Sequence, residues 1–370
     1  MEKLGENALS NCTFIKSIIL SDGRLTEIGE SAFRECHNLE IVVIPESVTK
    51  IGPFAFADSG LKSITLLDGR LTKIEKFTFY KCHNLENIVI PKTVTKIGRY
   101  AFAESGLKSI ILPYQSNRLT EIGYRAFSNC YNLEIMVIPE TVIKIDSHAF
   151  IYSGLKSIIL PYQSNRLTEI EEYTFYGCKN LETVVIPSSV TKIGSGAFSK
   201  SGLKSITLLD GRLTEIGISA FRKCCKLENV VIPDSVTELG PWAFAYSGLK
   251  SITLPYQSKG LTEIEEGAFY MCRNLETVVI PETVVKIGSE AFVYSGLKSI
   301  TLPHGLTEIG ERAFYNCRNL ETVVIPETVI KIGPHAFAHS GLKSITLPYG
   351  AEIVENAFRN CRDLVVNYRN

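Results

Sequence analysis

The chain has 370 residues, with Lys and Arg equal to Asp and Glu at 39 each and 45% hydrophobic residues. A balanced charge gives no net field for nucleic acid, anionic lipid or acidic substrate, so a phosphate-binding role and a nucleic-acid partner are disfavoured. The opening MEKLGENALSNC lacks a basic segment followed by an apolar one, and no run is long enough to span a membrane. The expectation is therefore a cytosolic protein, or one whose secretion signal or anchor lies outside this sequence.

In chain order, the dipeptide Ala-Phe or a variant recurs with its second residue at Leu9, Phe33, Phe56, Phe79 and onward to Phe337 and Phe358, in steps of 21 to 25 residues. A fixed period of this size marks a solenoid, whose units are too small to hold a core and gain one by stacking. About sixteen coils of about 23 residues are expected, and residues 1–370 form one domain. The coils alternate between two versions, which makes eight doublets of about 46 residues. The first version runs Cys36-His-Asn-Leu39-Glu-Ile-Val42-Val-Ile44-Pro45, then Val48 and Ile51-Gly52. The second runs Ser59-Gly60-Leu61-Lys-Ser-Ile64-Thr-Leu66, then Asp68-Gly69-Arg70. Both share L-x-x-[VI]-x-[IL], a β-branched frame suited to a short strand that proline or a turn ends. The Leu, +3 and +5 positions point inward.

These motifs resemble leucine-rich repeats, and Ala-Phe-x-x-Cys-x-x-Leu with Ile-Pro-x-x-Val-x-x-Ile-Gly closely resembles the BspA-like class across essentially the whole chain. The resemblance implies a curved right-handed solenoid, mainly β, with one strand per coil in a parallel sheet on the concave face. The inward Asn of the standard repeat is missing: the region reads Pro45-Glu46-Ser47-Val48. An Asn ladder is not expected, and the Ala-Phe segment should form a short helical or 3₁₀ turn. By resemblance, members sit on the surfaces of bacteria and parasitic protists and are linked with adhesion to host proteins or other cells.

Nine of the ten cysteines, from Cys12 and Cys36 to Cys361, fall three residues after the Phe position, where the alternate coils carry Ser59, Ser105 and their equivalents. A site that takes Cys and Ser in turn is a tight interior slot for a small side chain. Cysteines two coils apart are separated by about 10 Å, too far for a disulfide. Only Cys12 and Cys36 occupy adjacent coils and are the one candidate pair. Six histidines at unrelated repeat positions give no metal-ligand spacing, and no phosphate loop or nucleophile elbow is present. No catalytic residue, metal or cofactor is expected, and the protein reads as a non-enzyme.

The residue after each strand's first apolar position alternates Lys and Glu from Lys16 and Glu40 to Lys343 without error, through Glu134, Lys156, Glu182, Lys204, Glu228 and Lys250. Equivalent residues are neighbours in a parallel stack, so alternation turns repulsion into cross-strand attraction. The ladder either satisfies itself and sets register, or lies in a docking face with the flanking Val, Ile and Thr stripe that includes Val137 and Val185.

Length variation is confined to the loop after the second-version strand: Pro113-Tyr-Gln-Ser-Asn-Arg118, Pro161-Tyr-Gln-Ser-Asn-Arg166, Pro255-Tyr-Gln-Ser-Lys-Gly260, and the shorter Pro303-His-Gly305 and Pro348-Tyr-Gly350. Insertions on one edge mark a binding face of repeat arrays. The edge candidates are Tyr114, Gln115, Arg118, Tyr162, Gln163, Arg166, Tyr256, Gln257 and Tyr349; the competing reading is that these residues only build turns. Neither end shows a polar cap, so the chain reads as a segment of a longer protein or as one whose ends another chain covers, with end-to-end self-association as one outcome. Two functions follow: a surface adhesin-like, protein-binding module, or an intracellular structural or cytoskeletal scaffold.

Overall fold

The computed structural model describes residues 2–20, 23–113, 118–256 and 260–369. Two compact units divide the chain, 1–189 and 190–370. Each is a parallel β-solenoid, about sixteen coils are wound in all, and among the described residues no element is a helix.

Every coil contributes two strands. The longer ones, such as Ile41–Ile44, Ser63–Leu66 and Asn87–Val89 in the first unit, follow the L-x-x-[VI]-x-[IL] frame. Their burial alternates as the frame requires: Leu39, Val42 and Ile44 are buried, whereas Ile41 faces solvent. Two-residue strands such as Glu27–Ile28, Lys50–Ile51 and Lys96–Ile97 form a second parallel sheet on another side of each coil. The Ala-Phe segment that separates them from the next long strand is a run of turns, where the sequence suggested a short helical turn.

That replacement has a local cause. Most coils place two residues at positive φ around the Phe, for example Phe54 and Asp58, Tyr100 and Glu104, or Trp242 and Tyr246. A left-handed residue breaks a helix, and it costs a residue with a Cβ about 1–2 kcal/mol. In return the backbone N–H groups point along the stack: Phe54 N–H donates to Lys76 O (3.3 Å), Phe56 N–H to Thr78 O (3.0 Å) and Asp58 N–H to Tyr80 O (2.7 Å) in the next coil. The turns are thus a third ladder that a helix could not provide, because its N–H groups would bond within the helix.

The core is a stack of phenylalanines. In the first unit Phe33, Phe56, Phe79, Phe102, Phe127, Phe150 and Phe175 are fully buried, with neighbouring rings nearly parallel and 5.1–5.7 Å apart. The second unit continues the stacking from Phe198 to Phe358, the last of which is only partly buried. Beside the rings lies the small-residue slot. Cys130 Sγ donates to Phe102 O at 3.0 Å, which leaves Ser105 Oγ to donate to the sulfur at 3.5 Å. Cys82 with Ser59, Cys178 with Ser153, and Cys272 with Ser247 repeat the pair. The glycine of Ser-Gly-Leu has an equally tight cause: a Cβ on Gly154 would overlap the carbonyl oxygen of Tyr131 in the preceding coil.

The work of the missing Asn ladder falls to hydroxyls. Ser47, Thr93, Thr141 and Ser189 each donate to the carbonyl of the leucine that precedes the short strand one coil earlier, at 2.8, 2.6, 2.6 and 2.7 Å. Thr283 and Thr328 do the same in the second unit. The residue two after the strand-ending proline is therefore a structural hydrogen-bond donor, a role the sequence shows only as a recurrent Ser or Thr.

The short strands carry their own charge ladder. Glu27 lies between Lys50 (2.7 Å) and Lys3 (2.9 Å), and their hydrogen bonds, that of Lys50 foremost, hold its carboxyl down at about 2. A depressed carboxyl adds stability above its unfolded value near 4.5 and loses it as pH falls toward 2. Glu27→Gln should therefore lower the melting temperature at pH 6 and make little difference at pH 2. A deficit that is the same at both pH values would contradict this assignment.

Candidate protein-docking surface

On the long-strand sheet the Lys/Glu ladder takes a directional form. Lys62 reaches Glu40 (2.9 Å), Lys108 reaches Glu86 (2.7 Å) and Lys156 reaches Glu134 (2.8 Å) in the first unit. In the second, Lys250 reaches Glu228 (2.8 Å), Lys298 reaches Glu276 (2.7 Å) and Lys343 reaches Glu321 (2.6 Å). Each lysine turns back to the coil before it. The backbone agrees: Asn87–Val89 pairs with Ser109–Ile111 through all three residues, whereas Ser109 alone pairs onward with Ile135. Ser157 alone likewise pairs with Thr183. In the interior, Glu coil and following Lys coil are thus zipped together by ion pair and ladder and the junction to the next doublet is looser, whereas near the ends Ser17–Ile19 and Ser344–Pro348 pair with the next doublet through three and five residues.

Glu182 and Lys204 occupy the same rows and are exposed. Because the ion pairs are open to solvent, with side chains of Lys156 and Glu134 57% and 55% exposed, they add little stability and are available to a partner. Between them runs the apolar stripe. Val89, Ile111, Ile135, Val137, Ile159 and Val185 in the first unit, and Val231, Val279 and Val324 in the second, are all about half or more exposed. A row of β-branched side chains left in water along a sheet, bordered by charges of both signs, is the composition of a docking face.

Among the described residues the long-strand ladder is interrupted twice in the second unit, after Ser251–Thr253 and after Ser299–Thr301. Strands Ser299–Thr301 and Thr322–Val324 belong to separate ladders. A cleft of about 580 Å³ lies there, with Ile300, Val323 and Thr328 among its lining and His304 of the shortened Pro303-His-Gly305 loop at its mouth.

Along the loop edge, Tyr162, Gln163 and Arg166 project into solvent together, with Tyr162 55% exposed and its hydroxyl accepting from Gln163 Nε2 at 3.2 Å. Glu140 holds this loop: its carboxylate accepts from the backbone N–H groups of Tyr162, Gln163 and Ser164 at 3.0–3.3 Å. Asp234 does the same for Tyr256 N (3.0 Å) and Glu282 for His304 N (3.0 Å). These acids were missed as functional positions. Their signal was visible as the Pro-Glu or Pro-Asp that ends the preceding strand, one coil away. Tyr256 is 69% exposed and Arg118 is also exposed. Tyr349 is 67% exposed but stacks on Tyr368 at 5.3 Å. Tyr114, Gln115 and Gln257 lie outside the described residues.

Cys12 and Cys36 are free thiols in this structure, and Cys36 Sγ donates to Leu9 O at 2.9 Å. Among the described residues no group of His, Cys, Asp and Glu is placed to hold a metal ion, and no helix is long and apolar enough to cross a membrane.

Parallel coils of about 23 residues with a β-branched frame and a buried Phe stack define a solenoid of the leucine-rich repeat class. Residues 2–119, 72–167, 162–259 and 243–365 match the BspA type leucine rich repeat region, and the chain belongs to that family. It is similar to a leucine-rich repeat protein of Bacteroides ovatus, with 31% identity, a TM-score of 0.83, and 96% of this chain and 92% of that chain covered. It is also similar to a leucine-rich repeat protein of Eubacterium ventriosum, at 26% identity and TM-score 0.51, covering 92% and 87%. The pneumococcal vaccine antigen PcpA shares the fold at 21% identity and TM-score 0.54, with 96% and 89% covered. No curated protein matches the chain. Leucine-rich repeat proteins are typically non-enzymatic, and the family suggests a protein-interaction module.

Proposed function

We propose that residues 1–370 act as one non-enzymatic binding domain with the role of a surface adhesin, docking a protein of the host or of another cell on the long-strand sheet and its loop edge. The observation that carries this reading is the exposed Val and Ile stripe bordered by solvent-open ion pairs. Burying such a stripe under a partner removes apolar area from water at about 25 cal/mol per Å², while the Lys and Glu rows fix the partner's register and orientation. Tyr162 and Tyr256 extend the contact at low ordering cost, because an aromatic ring has few torsions to freeze.

The test uses immobilised extracellular-matrix proteins and intact epithelial cells as binding targets. Val137→Asp with Val185→Asp should lower capture at least tenfold, and Glu134→Lys with Lys156→Glu should change its salt dependence. Tyr162→Ala with Tyr256→Ala reads the loop edge separately. Capture unchanged in all three variants, with their melting curves unaltered, rejects the surface.

A second reading, an intracellular scaffold, is favoured by one observation: all ten cysteines are free thiols, the state a reducing compartment maintains. Fractionation of the native cells separates the two. Recovery in the cytosol with every thiol reduced overturns the adhesin reading, and recovery at the surface overturns the scaffold.

A further inference from the structure

The turn side of the solenoid holds a second, different concavity. In most of the first unit the left-handed row there is filled by rings: Phe54 stacks on Phe77 at 4.5 Å, and Phe77 on Tyr100 at 4.8 Å. Late in the second unit, after Trp242 and Gly267, the same row carries the polar side chains of Glu290, Arg312 and His335. Without rings to close it, a cleft of about 260 Å³ opens. Buried Val293 lines it together with Tyr270 and Tyr315, which stand two coils apart, or about 10 Å by strand spacing.

Its walls are aromatic and its polar groups converge. Tyr315 meets Tyr294 edge-on at 6.1 Å and lies against His339 at 5.2 Å. His339 Nε2 is 3.3 Å from Asn360 Nδ2, which fixes the ring's orientation. Arg312 is shared between Glu290 (3.6 Å) and Glu311 (3.7 Å), both beyond hydrogen-bond distance. Arg359 also lines the cleft and makes no ion pair among the described residues. One guanidinium of the lining is therefore left over, at the other end of the cleft from the Glu290 carboxylate, with His339 and Tyr315 in the two coils before it.

The geometry points to a binding site for a carboxylated monosaccharide unit, a sialic or uronic acid at the end of a glycan. Arg359 would take the carboxylate through a two-pronged hydrogen bond, the commonest way a guanidinium meets that group. Tyrosine rings present flat apolar faces to the C–H side of a pyranose, and Glu290, His335 and the tyrosine hydroxyls offer donors and acceptors to its hydroxyls. The volume sits just below the range of about 300–1,000 Å³ typical of drug-sized ligands, which suits one sugar ring. Glu290 in the lining disfavours a doubly charged phosphate more than a singly charged carboxylate, and a flexible acidic peptide would leave the ring faces uncovered. This site stands apart from the docking sheet and does not depend on it.

The experiment is saturation-transfer NMR with calorimetry on the whole chain. The probes are 3′-sialyllactose and methyl glucuronide, with lactose and methyl glucoside as neutral counterparts. Saturation of the protein should transfer to the ring protons of at least one acid, and whichever acid binds identifies the sugar. Arg359→Gln and Tyr315→Ala should each weaken it at least tenfold. Arg359→Lys, which keeps the charge and loses the fork, should fall between. Tyr80→Ala, the equivalent row in the first unit and outside the cleft, should leave binding unchanged. Binding of neither acid overturns the inference. So does equal binding of the neutral sugars, full displacement by triglutamate at the same concentration, or an Arg359→Gln or Arg359→Lys protein that binds as the parent does.

Discussion

Phe127→Ala should lower the stability of the first unit by about 3–5 kcal/mol, the cost of removing a fully buried aromatic ring and leaving its cavity. Phe127 has no exposed surface, and its ring is stacked between Phe102 and Phe150 at 5.4 Å on each side. The loss cannot be recovered by collapse. Phe127 N–H donates to Ala149 O at 2.8 Å and Phe102 N–H to Ala126 O at 2.9 Å, so backbone ladders pin the coils at fixed spacing. Urea unfolding measures the total. Because repeat arrays unfold coil by coil as well as globally, hydrogen exchange should show the loss greatest in coils next to residue 127. As a control, Val137→Ala on the exposed stripe should change stability by less than about 0.5 kcal/mol. Equal effects of the two substitutions would mean that the Phe stack is not the core.

Native thiol labelling should be confined to a minority of the ten cysteines. Burial pushes Cys82, Cys130, Cys178, Cys224, Cys272 and Cys317 up from 9.0 to about 12. At pH 8 that leaves each about 10³-fold less thiolate than an unperturbed cysteine, before access is considered. Cys225 is exposed and should react first with a disulfide reagent, followed by half-buried Cys12 and Cys361. All ten should react in urea. The same shift has a sign on the alkaline side. Above pH 9 the unfolded chain releases these protons while the folded one keeps them, so stability should fall steeply from pH 9 toward 12. Replacement of Cys130 and Cys178 by Ser, which keeps a small donor in the slot, should make that fall shallower. Rapid labelling of all ten thiols in the native protein would show that the slot is open to water.

Much of this was legible because each coil repeats the same local chemistry. The L-x-x-[VI]-x-[IL] frame named its inward residues correctly, as Leu39, Val42 and Ile44 show, since alternation along a strand is a property of the backbone alone. The Cys and Ser slot was legible for a similar reason: two small residues taking turns at one position imply one tight space. The helical turn expected of the Ala-Phe segment was not found, because its hydrogen bonds run to the next coil and local pattern cannot reveal a partner 23 residues away. The short-strand sheet escaped notice for the same reason, although the recurrent Lys-Ile and Glu-Ile dipeptides that form it, such as Glu27–Ile28 and Lys50–Ile51, were in view.

Of the proposed docking surface, the sequence suggested the Lys and Glu rows and the Tyr loops, but could not tell which neighbour each lysine would choose. Nor could it find Glu140 beneath Tyr162, or the cleft by Tyr315, since both join residues from different coils. By itself the sequence determined the period, the core rows and the charge alternation, which are one-dimensional properties repeated until they are unambiguous. Stacking alone decided which side chains meet, because contacts between coils are set by the ladder register and by loop length, and neither is written at any single position.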